Sequence, residues 1–351
     1  MWIATLLACP LSGCALDKVA ADNMAPVLRR TADEFNRVPI DRAAREAGPG
    51  LLATLEGIVA TSPENPELRL LQAELNASFA FAFLDSVDAE WAAYHYRVGQ
   101  VAALRALDDE DEELSALVAD SNAQDLRAAL EDYDDEDALP ALFWWAFARG
   151  AEINLHRDDP GEIAKLERVD AVMGWVLERD PGFFNGGPHL YMGIRKGLLP
   201  KSLGGDPEEA VAHFERVDAL TGGKHLLAKV LRAEFCAPHL AATESGASVE
   251  QILAAQQQAW DAFYGALKAV IEAPADLWPE QALTNAVAKT RARRLLSDPE
   301  AYNIIVPQGA QNEFAPAEEG WDDEGWEEGS DDDWDDSEDG DTSTDEGSGD
   351  E

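Results

Sequence analysis

Residues 181–234 read PGFFNGGPHLYMGIRKGLLPKSLGGDPEEAVAHFERVDALTGGKHLLAKVLRAE, and the punctuation of this stretch decides the fold. Three apolar segments are separated by two glycine-centred corners, Gly204-Gly205-Asp206-Pro207 and Thr221-Gly222-Gly223-Lys224. Asp206 has the position of an N-cap, whose side-chain oxygen accepts a free backbone N–H of the following turn. Pro207 comes at the first helical position, where its missing N–H is no loss. Glu208 and Glu209 then lie in the positively polarised first turn. Ala210, Phe214, Val217 and Leu220 recur at helical spacing, which predicts one apolar face. The paired glycines of each corner read as helix stops. This is the grammar of a helix–turn–helix repeat, a scaffold for binding.

The same grammar recurs along the chain. Leu51, Leu55, Ile58 and Val59 stripe a segment that stops at Ser62-Pro63. Another starts at Asn65-Pro66 and carries Leu68, Leu71, Leu75 and Phe79. Trp175-Val176-Leu177 runs into Asp180-Pro181, and Leu267 to Ile271 runs into Ala273-Pro274. The intervals between these stops are unequal, so no fixed period of about 34 residues holds. No run of alternating apolar and polar residues bounded by turn signals reads as a strand. The expectation is an all-α fold: a degenerate tetratricopeptide-like helix–turn–helix array, a helical solenoid or bundle.

Charge divides the chain. Of its 351 residues, Asp and Glu number 69 and Lys and Arg 27, for a net charge of −42. From Ala317 to Glu351 there are 19 Asp or Glu and no Lys or Arg, interleaved with Gly, Ser and Thr. Such a segment repels itself and buries too little to offset the entropy of ordering, so a disordered acidic tail is expected over 309–351. Residues 1–316 still carry −23. An acidic body excludes nucleic acid as a partner and disfavours anionic lipid surfaces. The helical domain is expected over 28–308.

The N-terminus bears on compartment. Met1 to Gly13 is apolar but shorter than the ~20 residues needed to span a bilayer. It ends in Leu11-Ser12-Gly13-Cys14, which resembles a lipobox, the signal being cut before a cysteine that then receives lipid. Residues 1–13 are thus expected to be a lipoprotein signal segment, although no Lys or Arg precedes the apolar run. Leu6-Leu7-Ala8-Cys9 is a poorer alternative, because Pro10 follows it. Cys14 is the expected lipidation site and residues 14–27 a tether. Ala15, rather than Asp, follows the cysteine, so the outer membrane is the expected destination. Only Cys236 would remain as a thiol, so no intramolecular disulfide is available.

From Leu51 to Leu296 the chain carries an ordered series of marks: Pro63-Glu64-Asn65, Phe143-Trp144-Trp145 with Gly150 and Ile153, and Asp180-Pro181. Asn185-Gly186-Gly187, Leu190-Tyr191 with Gly193, and Leu199-Pro200 follow. The corners Gly204-Gly205-Asp206 and Gly222-Gly223 come next, then Lys229-Val230 and Ala233-Glu234. Near the end stand Leu283-Thr284-Asn285-Ala286, Ala288-Lys289, Arg291-Ala292 and Leu295-Leu296. No single piece is specific, but the series at these spacings resembles the T component of tripartite ATP-independent periplasmic (TRAP) transporters. Gly48-Pro49-Gly50, before the first repeat helix, and the acidic tail depart from that pattern. The resemblance implies a periplasmic, lipid-anchored accessory protein that pairs with a solute-binding protein, self-associates and offers an apolar passage or cavity to a solute. The competing expectation is an adaptor in envelope protein assembly with no small-molecule ligand.

Catalytic patterns are absent. The six histidines are scattered, without an HExxH motif. Cys236 and His239 lie one helical turn apart, but two ligands do not make a zinc site. No phosphate-binding loop and no Gly-x-Ser-x-Gly elbow occur, so no enzyme activity, metal or cofactor is expected. In the tail, Asp335 to Glu346 partly matches a calcium loop but has Ser337 at the third position and no flanking apolar helices. Trp321, Trp326 and Trp334 suit docking on a basic, apolar groove of a partner. Phe143, Trp144, Trp145 and Phe147 fall within five residues and, at about 100° per residue, point in at least three directions. A helix this bulky all round is either fully buried or lines a cavity. Phe143, Trp144 and Trp145, with Phe184 and Tyr191 from the next element, are the candidate ligand-binding residues.

Overall fold

The computed structural model describes residues 13–199, 201 and 205–315. The segment 1–12, Gly204 of the first corner, Pro200 and the acidic tail from Pro316 lie outside the described residues. Within them the chain runs through α1 (Gly13–Asp22), α2 (Ala25–Phe35), α3 (Asp41–Thr61), α4 (Pro66–Phe79) and α5 (Ala89–Glu110). It continues through α6 (Glu112–Asp120), α7 (Ala123–Glu131), α8 (Leu139–Leu155), α9 (Pro160–Ile163) and α10 (Leu166–Arg179). The last five are α11 (Phe183–Gly197), α12 (Pro207–Thr221), α13 (Leu226–Cys236), α14 (Val249–Glu272) and α15 (Ala282–Ser297). The fold is all-α, and no strand occurs among the described residues.

The helix ends are set by local chemistry. Asn65 caps α4 by accepting the Leu68 N–H at 3.0 Å, and Asp206 caps α12 by accepting that of Glu209 at 3.0 Å. Each such cap contributes about 1 kcal/mol. Gly222 ends α12 in the left-handed conformation, φ 62°. Ala210, Phe214 and Val217 are buried as their spacing demands, while Leu220, one turn on, is 42% exposed. Gly48-Pro49-Gly50 does not precede a helix but lies inside α3. A Cβ on Gly48 would stand 2.4 Å from the Phe79 ring, so the glycine exists for the close approach of α4. Tertiary packing carries α3 through a sequence that locally reads as a break.

Chain neighbours pack on one another, α4 on α5, α11 on α12, α12 on α13 and α14 on α15. One core joins α4, α5, α8 and α10 around Tyr96, Leu142, Phe143 and Met173; a second joins α12 to α15 around Phe214, Trp260 and Phe263. The ends then meet. Ala44 of α3 packs with Leu283 and Val287 of α15, and the Leu283 N–H donates to the Asn36 carbonyl at 3.0 Å. The array is therefore a closed bundle, not an open solenoid.

Both expected boundaries of the domain shift outward. Residues 14–27, expected as a tether, belong to α1 and the start of α2. Asp22 accepts hydrogen bonds from Ser62 and Asn65, and Ala25 is buried beside Leu55 and Leu68. At the other end Glu313 pairs with Lys268, the Asn312 amide donates to the Leu296 carbonyl at 2.7 Å, and Phe314 packs on the second core. The compact unit ends at Ala315. No helix among the described residues is long and apolar enough to cross a membrane.

Candidate functional site

A cavity of about 160 Å³ lies where the two cores and the α3–α15 contact meet. Seven phenylalanines form its apolar side: Phe35 at the end of α2, Phe79 at the end of α4, Phe81 and Phe83 just after it, Phe143 and Phe147 on α8, and Phe184 on α11. Asn36, Asn185, His225, Gln281 and Thr284 bring polar groups to it, and no Asp, Glu, Lys or Arg is among its lining residues. Its volume is roughly that of a cavity that accepts a benzene-sized ligand, and it is partly open, with Phe184 of its wall 42% exposed.

Two backbone irregularities shape the wall. After α4 the residues Ala80–Leu84 form a π-helical turn, with the Asp85 N–H donating to the Ala80 carbonyl at 3.0 Å. Such turns frequently mark functional sites. At the start of α11, Phe184 (φ 45°), Asn185 (φ 61°) and Gly186 (φ 85°) are all left-handed. For phenylalanine this is a strained conformation, of order 1–3 kcal/mol. The strain falls on wall residues Phe184 and Asn185. Gly187 follows because a Cβ there would stand 2.6 Å from Cζ of Phe143.

The five candidate residues separate. Phe143 and Phe184 line the cavity. Trp144 is buried among the rings of Phe143, Phe147 and Phe184, at centroid distances of 5.0, 5.7 and 4.7 Å, and does not line it. Trp145 faces the opposite way, into an opening between α5, α8 and α10 that carries Arg97, Arg149, Lys165 and Arg168. The Arg168 guanidinium lies 5.8 Å from its ring. Tyr191 lines a second, smaller space of about 80 Å³ that shares Phe81, Phe147 and Leu190 with the first. Its hydroxyl donates to Asp170 at 2.8 Å, and burial raises its pKa well above the usual phenol range.

Phe81 also borders a third space, of about 80 Å³, beside Arg291 and Arg294. The Arg291 guanidinium lies 5.5 Å over the Phe81 ring and makes two 2.9 Å bonds to Glu234, both partners nearly buried. Asp85, in the second space, accepts the Tyr96 hydroxyl at 2.6 Å; burial pushes its carboxyl up to about 6.

The residues missed by sequence reasoning are Phe79, Phe81 and Phe83 as wall residues, and His225. The run Phe79-Ala80-Phe81-Ala82-Phe83 was a usable signal, since phenylalanines at every second position cannot share one face of an α-helix. His225 has no local signal. It is 4% exposed at the start of α13, burial holds its pKa down at about 4, and its Nδ1 has no hydrogen-bond partner. Elsewhere His239 contacts the Gly197 carbonyl at 2.7 Å, and burial pushes the Cys236 thiol up to about 11. No group of three or more His, Cys, Asp or Glu is placed to hold a metal ion among the described residues.

The chain is thus a closed helical bundle with a cavity whose lining carries no ionised side chain. The model of the TRAP transporter T-component family matches residues 42–302, well over half of the chain. The chain belongs to that family, and so is an accessory component of a TRAP transport system. Comparison with curated proteins finds no match.

Proposed function

We propose that this protein is the periplasmic scaffold of a TRAP uptake system, partnering the solute-binding protein and holding or relaying an apolar solute in the cavity walled by Phe35, Phe79, Phe81, Phe83, Phe143, Phe147 and Phe184. One observation carries the solute-holding part: a space between the helices whose lining has seven phenylalanine rings and no ionised side chain. An apolar solute gains there the burial that water denies it, while an ion would lose hydration without a counter-charge. Lipidation at Cys14 would hold the scaffold at the membrane, probed by fractionation below. Self-association is supported by apolar side chains left outside on and beside α5, Val87 at 64%, Trp91 at 42% and Val101 at 57% exposure.

The test is calorimetric titration with toluene, an uncharged apolar probe of benzene size, together with capture of the solute-binding protein from native membranes. Wild type is expected to bind the probe and to co-purify with the solute-binding protein. Ala82→Phe, which fills the cavity from a lining position, is expected to abolish probe binding while leaving the partner bound. A wild type that takes up no apolar probe would leave an adaptor without a small-molecule ligand as the better reading.

A further inference from the structure

The opening that Trp145 faces concentrates positive charge on a chain whose net charge is −42. It is an open depression of about 350 Å³, lined by Arg97 of α5, Arg149 of α8, and Lys165 and Arg168 at the start of α10. No Asp or Glu is among its lining residues, and it shares none of them with the aromatic cavity.

The four cations are incompletely balanced. Glu152 pairs with Arg97 at 3.2 Å and with Arg149 at 2.7 Å, and Glu162 pairs with Arg149 at 2.8 Å and with Lys165. Two carboxylates thus serve three cations. Arg168, the fourth, forms no ion pair with the described residues; Asp120 acts on it only at a distance, while the charge of Arg149 opposes its own. Its guanidinium is nevertheless held in place. Nη2 donates to the Val118 carbonyl, and the group lies 5.8 Å from the Trp145 ring. Nε is sealed in the protein, but Nη1 has no protein partner and is not sealed, so it can meet a ligand. Like charges gathered in one depression repel, and an anion relieves that repulsion.

We propose that this opening binds the phosphate group of a small phosphorylated molecule, with Arg168 Nη1 as a direct donor and Arg97, Arg149 and Lys165 supplying the surrounding positive field. A phosphate monoester brings a charge of about −1.5 to −2 and three acceptor oxygens. That charge matches four cations set against two carboxylates, and three oxygens suit donors arriving from α5, α8 and α10. Guanidinium groups favour phosphate oxygens. A single carboxylate supplies half the charge and one oxygen fewer. Val101 and Leu104, on the same face of α5 as Arg97, give the rest of the ligand an apolar wall. The chain as a whole repels anions, so capture of a dianion reports a local site.

Calorimetric titration of the full chain with phenyl phosphate, succinate and phenol tests the site. Phenyl phosphate is expected to bind at least about tenfold more tightly than succinate or phenol and to weaken as salt is raised. Arg168→Met should weaken it at least about tenfold, the worth of a charged hydrogen bond. Arg168→Lys, which keeps the charge and loses the planar fork, should weaken it by less. Lys165→Gln, at an exposed side chain, should weaken it about threefold. Arg42→Gln removes an exposed arginine on α3 and should change nothing; a loss equal to that of Lys165→Gln would show a general charge effect and overturn the site. So would a wild type that does not bind phenyl phosphate, succinate or phenol binding as tightly, or undiminished binding by Arg168→Met. Should Arg168→Met not fold, the comparison of Lys165→Gln with Arg42→Gln decides. Ala82→Phe, in the aromatic cavity, should leave phenyl phosphate binding intact, so the outcome does not depend on what that cavity holds.

Discussion

Replacing Gly187 by alanine puts one methyl group into the cavity wall, and the geometry sets the size of the effect. The new Cβ would stand 2.6 Å from Cζ and 2.8 Å from Cε2 of Phe143. Carbon atoms pack comfortably at about 3.5–4.0 Å, so the ring must retreat by roughly 1 Å. The backbone at residue 187 is not left-handed, so alanine brings no strain of its own. In a helix it even gains about 1 kcal/mol over glycine. In a solid core such overpacking costs about 1–3 kcal/mol. Here Phe143 borders about 160 Å³ of free space, so the net loss is expected at the low end, about 0–2 kcal/mol. The melting temperature should fall by no more than about 8 °C. The ring that moves in takes space from the solute, so affinity for toluene should drop at least about tenfold. Urea unfolding and probe titration on the same preparation read both quantities. A loss beyond about 4 kcal/mol would show that the ring has nowhere to go, and unchanged affinity would show that the probe sits elsewhere. Either result refutes the reasoning.

Further outcomes follow from the buried charges and the N-terminus. Asp85 is raised from 3.8 to about 6 by burial, so between those pH values the native state holds more protons than the unfolded chain. Its contribution to stability therefore falls as pH rises through that window and stays low above it. Asp85→Asn should raise stability at pH 7.5, by on the order of 1–3 kcal/mol, with less gain at pH 4.5; an equal gain at both pH values would contradict the shift. Glu234→Gln removes the counter-charge of the nearly buried Arg291 and should cost about 3–5 kcal/mol in urea unfolding. Glu46→Gln, in the exposed pair with Arg42, should change stability by less than about 1 kcal/mol. Cys14→Ser should move the protein from the membrane to the soluble fraction in its native host, and a wild type that is already soluble would rule out the anchor.

Where the deciding interactions span a few residues, the sequence alone was enough. Asp206 caps and Gly222 stops α12 through bonds made within one turn, so composition and spacing place those corners directly. The all-helical fold follows from repeated caps, stops and apolar stripes, and Phe143 and Phe184 are visible as parts of unusually aromatic stretches. What neighbouring aromatics face is another matter. Phe143, Trp144 and Trp145 are consecutive, yet one lines the cavity, one is packed among other rings and one meets arginines, because the elements around α8 differ on each side. Gly48-Pro49-Gly50 reads as a break until Phe79 is seen lying on Gly48. The start of α13 has no cap in its own sequence until Asn285, 59 residues on from Leu226, is seen to accept the Leu226 N–H. Likewise, closure of the bundle depends on α3 meeting α15, a pairing between the two ends of the domain. The sequence alone determined where helices start, stop and turn an apolar face inward, because those energies arise within a turn of backbone. Which side chains surround an empty space was decided only by tertiary packing, since a cavity is bounded by residues that share no local pattern and meet only when distant helices close around it.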